Sequence, residues 1–364
     1  MTSTRTVPEH SGADNQTTES PYPLIPVTLL SGALGAGKTT LLRHILAADS
    51  HLKLAIIENE FASASIDDQL LGDAAETIVT LADGCICCSI GADLERTLIT
   101  LLDKRDSGEL AFDRLIIECS GMADPGPIAQ LFLSEAFVRE RYQLEGILTL
   151  VDGLHASKQL ERPITQAQIG FADKLLVTKS DLISAEQKQA LTEQLRYINR
   201  RAPILCITQG EISLDEVFGL QGFELEAEPD QLLFTPASHS GQKKKQFHAP
   251  SVTSDSANSL HTSSISSMVL ESLYPIDIDT FSIFMNDLLE THGHRLLRYK
   301  GVLDIDGAEE RLVFQGVFKL YNFDWGRSWG KEKRRSVIVI IGEHLPEANI
   351  REAFAQTTER SLLR

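Results

Sequence analysis

The chain has 364 residues, enough for two domains with a tail or linker. Hydrophobic residues make up 42% and charged residues 23%, so a packed core is expected and wholesale disorder is excluded. With 34 basic and 51 acidic residues the net charge is −17, a poor match for nucleic acid or an anionic lipid surface. Neither nucleic acid nor a membrane is therefore expected as a partner.

No apolar run reaches the roughly 18 residues of a membrane helix. Residues 1–24 are polar and read as a disordered tail closed by Pro21 and Pro23. They hold no apolar stretch of the kind that marks a secretory signal. The five cysteines are Cys85, Cys87, Cys88, Cys119 and Cys206. An odd count without an export signal does not read as a disulfide framework. A reducing, cytoplasmic setting is expected, with clustered thiols free for metal or redox chemistry.

Structure is expected to start at Ile25 with a short apolar strand ending in Ser31-Gly32. A helix over 41–48 follows. Further strands are predicted at 54–58, 77–81, 114–118, 147–152, 175–178 and 204–207. Helices are predicted at 94–102, 127–132 and 185–199, the last capped by Ser184. Strand–helix alternation predicts a doubly wound, mostly parallel α/β sheet over residues 25–234. Residues 235–267 hold ten serines, the run Lys243-Lys244-Lys245 and three histidines, and read as a linker. Residues 268–364 read as a second, smaller α+β domain. Its strands are predicted at 268–273, 296–304, 311–317 and 336–341, and its helices at 278–290 and 346–354.

Gly32-Ala-Leu-Gly35-Ala36-Gly37-Lys38-Thr39-Thr40 fits the P-loop pattern in full, after a strand and opening a helix. Glycines let backbone N–H groups turn toward phosphates, and the helix N-terminus adds positive potential. Lys38 would reach the β- and γ-phosphates and the Thr39 hydroxyl would ligate Mg²⁺. A second acid should meet the Mg²⁺ from a neighbouring strand, and Glu118 ends one. Gly121, three residues on, would sense the γ-phosphate through its N–H. Thr178-Lys179-Ser180-Asp181 ends another strand. Asp181 can accept from the two N–H donors of guanine, a pairing adenine cannot supply. The Lys179 stem would pack over the base. The usual first residue of this motif in GTPases is Asn, and Thr178 is a departure.

Cys85, Cys87 and Cys88 lie within four residues, too close to pair easily with one another. Thiolates at this density favour Zn²⁺ or a related soft metal, with Glu58 as a candidate fourth ligand. Buried apolar cysteines and a redox cluster are the alternatives. Cys119 and Cys206 read as core residues. His292 and His294 read as a solvated helix end. Trp325, Arg327 and Trp329 read as core packing before an aromatic–cation patch.

Five motifs occur in order: Gly32–Thr40, Glu58-Asn-Glu-Phe61, Gly84-Cys-Ile-Cys-Cys88, Glu118-Cys-Ser-Gly-Met-Ala-Asp-Pro125 and Thr178-Lys-Ser-Asp181. Together they resemble the CobW-like GTPases, most closely the YjiA-type branch. Leu296-Leu-Arg-Tyr-Lys-Gly301, Phe314-Gln-Gly-Val317 and Val337-Ile-Val-Ile-Ile-Gly342 resemble the CobW C-terminal domain. The resemblance implies a slow, metal-binding GTP hydrolase that uses Mg²⁺ and acts as a metallochaperone or metal insertase for zinc, cobalt or another thiophilic divalent ion. A metal-requiring client protein is the partner it implies, and a homo-oligomer is a further candidate that the sequence leaves open. It maps metal ligation onto Glu58, Cys85, Cys87 and Cys88. Relatives often carry Gly-Glu where this chain has Ala62-Ser63, so Ser63 cannot supply a carboxylate there, and Glu95 is a candidate substitute. Two other readings stand beside it: an ATP-using P-loop kinase with structural cysteines, and a non-catalytic metal store.

Overall fold

The structure is a computed structural model, and it describes residues 23–48, 53–58, 77–80, 90–220, 222–223 and 263–362. In chain order the first domain runs β1 (Ile25–Gly32), α1 (Lys38–Ala48), β2 (Leu54–Glu58), β3 (Thr77–Thr80), α2 (Ile90–Asp106), β4 (Arg114–Glu118), α3 (Gly126–Ser134), α4 (Ala136–Arg141), β5 (Tyr142–Asp152), α5 (Ala156–Gln159), α6 (Pro163–Phe171), β6 (Lys174–Thr178), α7 (Ala185–Ile198), β7 (Ile204–Cys206) and α8 (Leu214–Val217). The second runs β8 (Ile265–Ser272), α9 (Ile278–His292), β9 (Leu296–Asp304), β10 (Glu310–Val317), β11 (Leu320–Ser328), β12 (Ser336–Glu343) and α10 (Glu347–Leu362).

The first sheet has seven strands in the order β3-β2-β4-β1-β5-β6-β7, and every pairing is parallel. Such strands are buried on both faces, and the sequence supplies near-continuous apolar runs for them. Leu54 to Ile57 and Leu115 to Ile117 are all at or below 1% exposure. Chain order reverses around β1, which lies between β4 and β5. Ligands of open α/β sheets bind at the carboxyl ends of strands at such a point. Gly32, Glu58, Glu118, Asp152 and Thr178 all end their strands there. The doubly wound expectation is met. The expected Ser184 cap is present, and the structure extends it to a capping box: Ser184 accepts from the Gln187 N–H, and the Gln187 side chain accepts from the Ser184 N–H.

The second sheet is antiparallel, in the order β11-β10-β9-β12-β8. Along β12, Ile338 and Ile340 face α9 and α10, where Phe281, Phe284, Leu288 and Phe354 gather. Val337, Val339 and Ile341 join the other cluster, with Ile169 and Phe171 of α6. The C-terminal sheet is thus apolar on both faces because one faces its own helices and the other faces the first domain. Gly170 lies against this sheet; a Cβ there would sit 3.1 Å from Leu297 and 3.3 Å from Ile341. Beside this apolar contact, Asp173 binds Arg201 at 2.6 Å and Arg298 of β9 at 2.7 Å, all screened from water. Burial pulls the Arg298 guanidinium down to about 10, against the attraction of Asp173.

Three expectations need correction. Strand β8 starts at Ile265, three residues before the expected Met268, so Ile265–Ser267 leave the predicted linker. Its serines disguised it: Ile265 is buried, and the Ser267 Oγ accepts from the Arg200 N–H. The rest of that linker up to residue 262 lies outside the described residues. Cys206 is exposed and not core, because β7 is an edge strand. Strand β11 was not predicted, and it leaves Trp325 half exposed while Trp329 is buried under the Arg311 guanidinium. Cys119 is buried, as read.

Candidate functional site

The P-loop leaves β1 through three glycines with positive φ: Gly32 at 133°, Gly35 at 77° and Gly37 at 98°. A Cβ on Gly32 would meet the Leu150 carbonyl oxygen at 2.4 Å, so only glycine fits beside β5. Lys38 opens α1 and is buried. Its Nζ donates to the Gly32 carbonyl at 3.0 Å and lies 3.9 Å from Glu118 Oε1. Thr39 follows in the first helical turn, half-buried, and Thr40 is exposed.

Glu118 ends β4 and Glu58 ends β2, and the two are register partners in adjacent parallel strands. Both are buried, at 4% and 1% exposure. Glu58 is also in register with Thr80, the last residue of β3. Cys85, Cys87 and Cys88 lie a few residues beyond Thr80 but outside the described residues, as does Ser63. Glu95 is half-buried on α2.

The loop after β4 closes over the P-loop. A Cβ on Gly121 would fall 2.5 Å from the Leu34 nitrogen, so glycine is required at this crossing. Two features fix the loop. The Asp124 carboxylate accepts from the Gly126 N–H at 2.8 Å. Burial raises the Asp124 carboxyl above its ordinary value, and that hydrogen bond opposes the shift. From below, the Gln168 Nε2 donates to the Ala123 carbonyl at 3.0 Å and the Gly121 carbonyl at 3.3 Å. Cys119 begins the loop, and burial pushes its thiol up to about 12 despite nearby Lys38.

Thr178 and Lys179 grip the P-loop from the other side. The Thr178 hydroxyl donates to the Ala36 carbonyl at 2.8 Å. Lys179 has a left-handed backbone, φ 53°, and its Nζ donates to the Gly35 carbonyl at 3.0 Å and to Asp152 at 2.6 Å. Burial pushes the Asp152 carboxyl up, but bonds from Lys179 and His155 outweigh it and hold it below the usual range. Asp181 is exposed on the short turn Ser180–Leu182. The Ser180 hydroxyl donates to the Ile207 carbonyl, which ties this turn to the loop after β7. In that loop Gln209 has φ 54°, and Gly210 packs against the Thr40 carbonyl.

Sequence reasoning placed the P-loop, Glu118, Gly121 and Thr178–Asp181; the fold brings the P-loop, Glu118, Gly121, Thr178 and Lys179 together at the carboxyl ends of β1, β4 and β6, with Asp181 exposed on the turn that follows. It missed Asp152 and Gln168. Asp152 had a readable signal, a carboxylate closing an apolar strand like Glu118. Gln168 had none, because its role depends on where α6 packs.

The geometry meets a family signature over most of the chain. The model of the CobW/HypB/UreG nucleotide-binding domain matches residues 26–206, and that of the cobalamin synthesis protein cobW C-terminal domain matches residues 265–358. The E. coli zinc chaperone YjiA is 49% identical over 332 residues, spanning 91% of this chain and 98% of that protein. This chain belongs to the CobW/HypB/UreG family. The crystal structure of Zn(II)-bound YjiA GTPase from E. coli superposes with a TM-score of 0.74 at 44% identity, over 92% of this chain and 99% of that one. A Zn(II)-bound triple mutant of YjiA GTPase, with one glutamate and two cysteines changed to alanine, gives the same score and identity over 93% and 100%. A CobW-family member with this cradle fits a Mg²⁺–nucleotide. Thr39 and Glu118 carry oxygen atoms of the kind Mg²⁺ would take, and the positive-φ glycines would leave backbone N–H groups for phosphate. Among the described residues no helix is long and apolar enough to cross a membrane.

Proposed function

We propose that this chain is a GTPase that binds zinc and hands it to a client protein, with nucleotide and metal states linked. The observation that carries the reading is the register of Glu58 with Glu118 at the ends of β2 and β4. One carboxylate stands beside the P-loop lysine; the other ends the strand between Glu118 and the approach to Cys85, Cys87 and Cys88. Zinc is cargo here, held by Glu58 and the three thiolates.

In this reading the chain's own groups do most of the phosphate chemistry. Lys38 exchanges its contact with the Gly32 carbonyl for the β- and γ-phosphates. The P-loop N–H groups hold the phosphate oxygens as charge moves toward the leaving group. Thr178 and Lys179 keep the loop rigid, so little reorganisation accompanies the reaction. Asp181 accepts from guanine. When bound, Mg²⁺ neutralises phosphate charge, and Thr39 and Glu118 would hold it directly or through water.

The test is zinc competition against a chromophoric chelator with GDP and with a non-hydrolysable GTP analogue. Zinc stoichiometry must be read as well, because a YjiA variant lacking a glutamate and two cysteines still crystallised with Zn(II). A coupling of about 1–3 kcal/mol would shift zinc affinity roughly 5–150-fold between the two nucleotide states. Zinc affinity equal in both would reduce the site to a store. Nucleotide binding that prefers ATP would favour the kinase reading.

A further inference from the structure

Strand β11 is the edge of the C-terminal sheet, and β10 is its one strand partner among the described residues. An edge strand presents a row of N–H and C=O groups to any chain that lies alongside. Alternation puts Tyr321, Phe323 and Trp325 on one face, and Arg327 follows beyond a register shift in the β10–β11 ladder. Their neighbours across the ladder are Phe314 for Phe323 and Leu312 for Trp325. Phe314 and Leu312 are buried within the α9–α10 cluster, yet Phe323 is 61% exposed and Trp325 49%. The two helices therefore stop short of the edge. Arg139 of α4 joins Tyr321, Asn322 and Phe323 around an open concavity of about 350 Å³.

Charge singles out the same place. The chain carries −17, but residues 319–335 hold six basic side chains and two acidic ones. Arg327, Lys331, Lys333 and Arg334 are all exposed. The hairpin is anchored at its turn, where the Phe318 ring packs edge-on against Phe171 at 5.4 Å. The strand is thus held out by a firm base.

We propose that the outer edge of β11 docks an extended, acidic segment of a partner protein. The segment would add as a further strand, set apolar side chains against Phe323 and Trp325, and place carboxylates among the basic residues. A nucleic acid fits less well. It has no N–H and C=O ladder to pair with the edge. Asp324 and Glu332 stand in the patch, and Glu332 already binds Arg311 and Arg327 at 2.9 Å. Docking on β11 goes beyond the zinc reading and does not require metal.

The test uses the full chain and fluorescein-labelled decapeptides of alternating valine and glutamate, or valine and lysine, read by anisotropy. The valine–glutamate peptide should bind saturably and weaken as salt rises. The valine–lysine peptide should not bind. The double change Phe323→Ser/Trp325→Ser should weaken binding about tenfold or more, since buried aromatics dominate such interfaces. Arg327→Glu/Lys331→Glu should flatten the salt dependence. All four side chains are exposed, so circular dichroism and melting should be unchanged. Equal binding of both peptides, or no binding of either, overturns the proposal. Displacement of the peptide by single-stranded oligonucleotide overturns it in favour of nucleic acid. A dimer by light scattering that Phe323→Ser/Trp325→Ser dissolves overturns it in favour of a second copy of the chain.

Discussion

Replacing Gln168 by leucine separates loop positioning from stability. Gln168 is fully buried on α6. Its Nε2 gives two bonds to the Gly121 loop, while its Oε1 has no hydrogen-bond partner among the described residues. Leucine removes both donor bonds, at about 1 kcal/mol each, but also removes an unsatisfied buried oxygen that costs about 1–3 kcal/mol. Shape is nearly kept. The terms offset, so urea unfolding should move by less than about 1 kcal/mol. The loop that crosses Leu34 at Gly121 loses its tether from below. Affinity for a non-hydrolysable GTP analogue should fall about 5–10-fold, near 1–1.4 kcal/mol, while GDP affinity holds. Fluorescent-nucleotide titrations measure both. Unchanged affinity for both nucleotides would refute the assignment of Gln168 as the residue that positions this loop. Gln168→Glu sharpens the case. A buried carboxylate facing two carbonyl oxygens has its pKa raised in the folded state. Stability should be present at low pH, where the protonated group still donates, and be lost as pH rises through that folded pKa.

Three further outcomes follow from other sites. Asp173→Ala leaves Arg298 and Arg201 without their shared buried carboxylate, and should destabilise by about 3–5 kcal/mol in urea unfolding; a loss below about 1 kcal/mol would contradict the burial argument. In the zinc-loaded protein, Ellman's reagent should find one fast thiol, exposed Cys206, while Cys119 stays silent because its thiol is pushed up to about 12. Fast labelling that persists in Cys206→Ser would show that the cysteine cluster is not held by metal. Asp181→Asn should weaken GTP and favour xanthosine triphosphate, whose C2 carbonyl accepts where guanine donates; an unchanged GTP preference in matched titrations sinks Asp181 as the base reader.

Local chemistry explains what could be read in advance. Strands 54–58 and 114–118 are predicted to the residue because burial on both faces of a parallel sheet forces near-continuous apolar runs, and strand 296–304 is matched to the residue although Arg298 and Lys300 interrupt its apolar pattern. Helix α7 is legible because Ser184 marks its N-terminus as a cap. Helix α6 is not, since Pro163 and Gly170 read as breakers. Yet Pro163 sits in the first turn, where its missing N–H is harmless, and Gly170 lets the C-terminal sheet approach. Strand β11 alternates Tyr321, Phe323 and Trp325 with polar residues, a strand signal obscured by Asp324 and Gly326. At the site, residue types that chemistry demands at fixed spacing, such as Lys38 and Asp181, show in sequence. Residues that act by position alone, such as Gln168 and the Asp173–Arg298 pair, need the fold first.

The register of Glu58 with Glu118 would supply a physical reason for the proposed linkage between metal and nucleotide. Neighbouring strands lie about 4.8 Å apart, so the two carboxylates end side by side. If both are ionised, two such charges at about 5 Å repel by about 3 kcal/mol at an effective dielectric near 20. Both are buried, so neither can disperse its charge into water. A cation placed beside either carboxylate relieves the other. Lys38 already does part of this for Glu118 at 3.9 Å. In the proposed reading, phosphate would draw Lys38 away and Glu118 would help hold Mg²⁺, which would change the field at Glu58. Zinc held through Glu58 would then be gripped differently in the two nucleotide states. Reciprocity requires that zinc shift nucleotide affinity by the same factor. Glu58→Gln removes one of the two charges but keeps the shape. It should weaken zinc binding and, independently, make Mg²⁺–nucleotide affinity insensitive to zinc. A Glu58→Gln protein whose GTP affinity still responds to zinc as the wild type does would show that the link runs elsewhere.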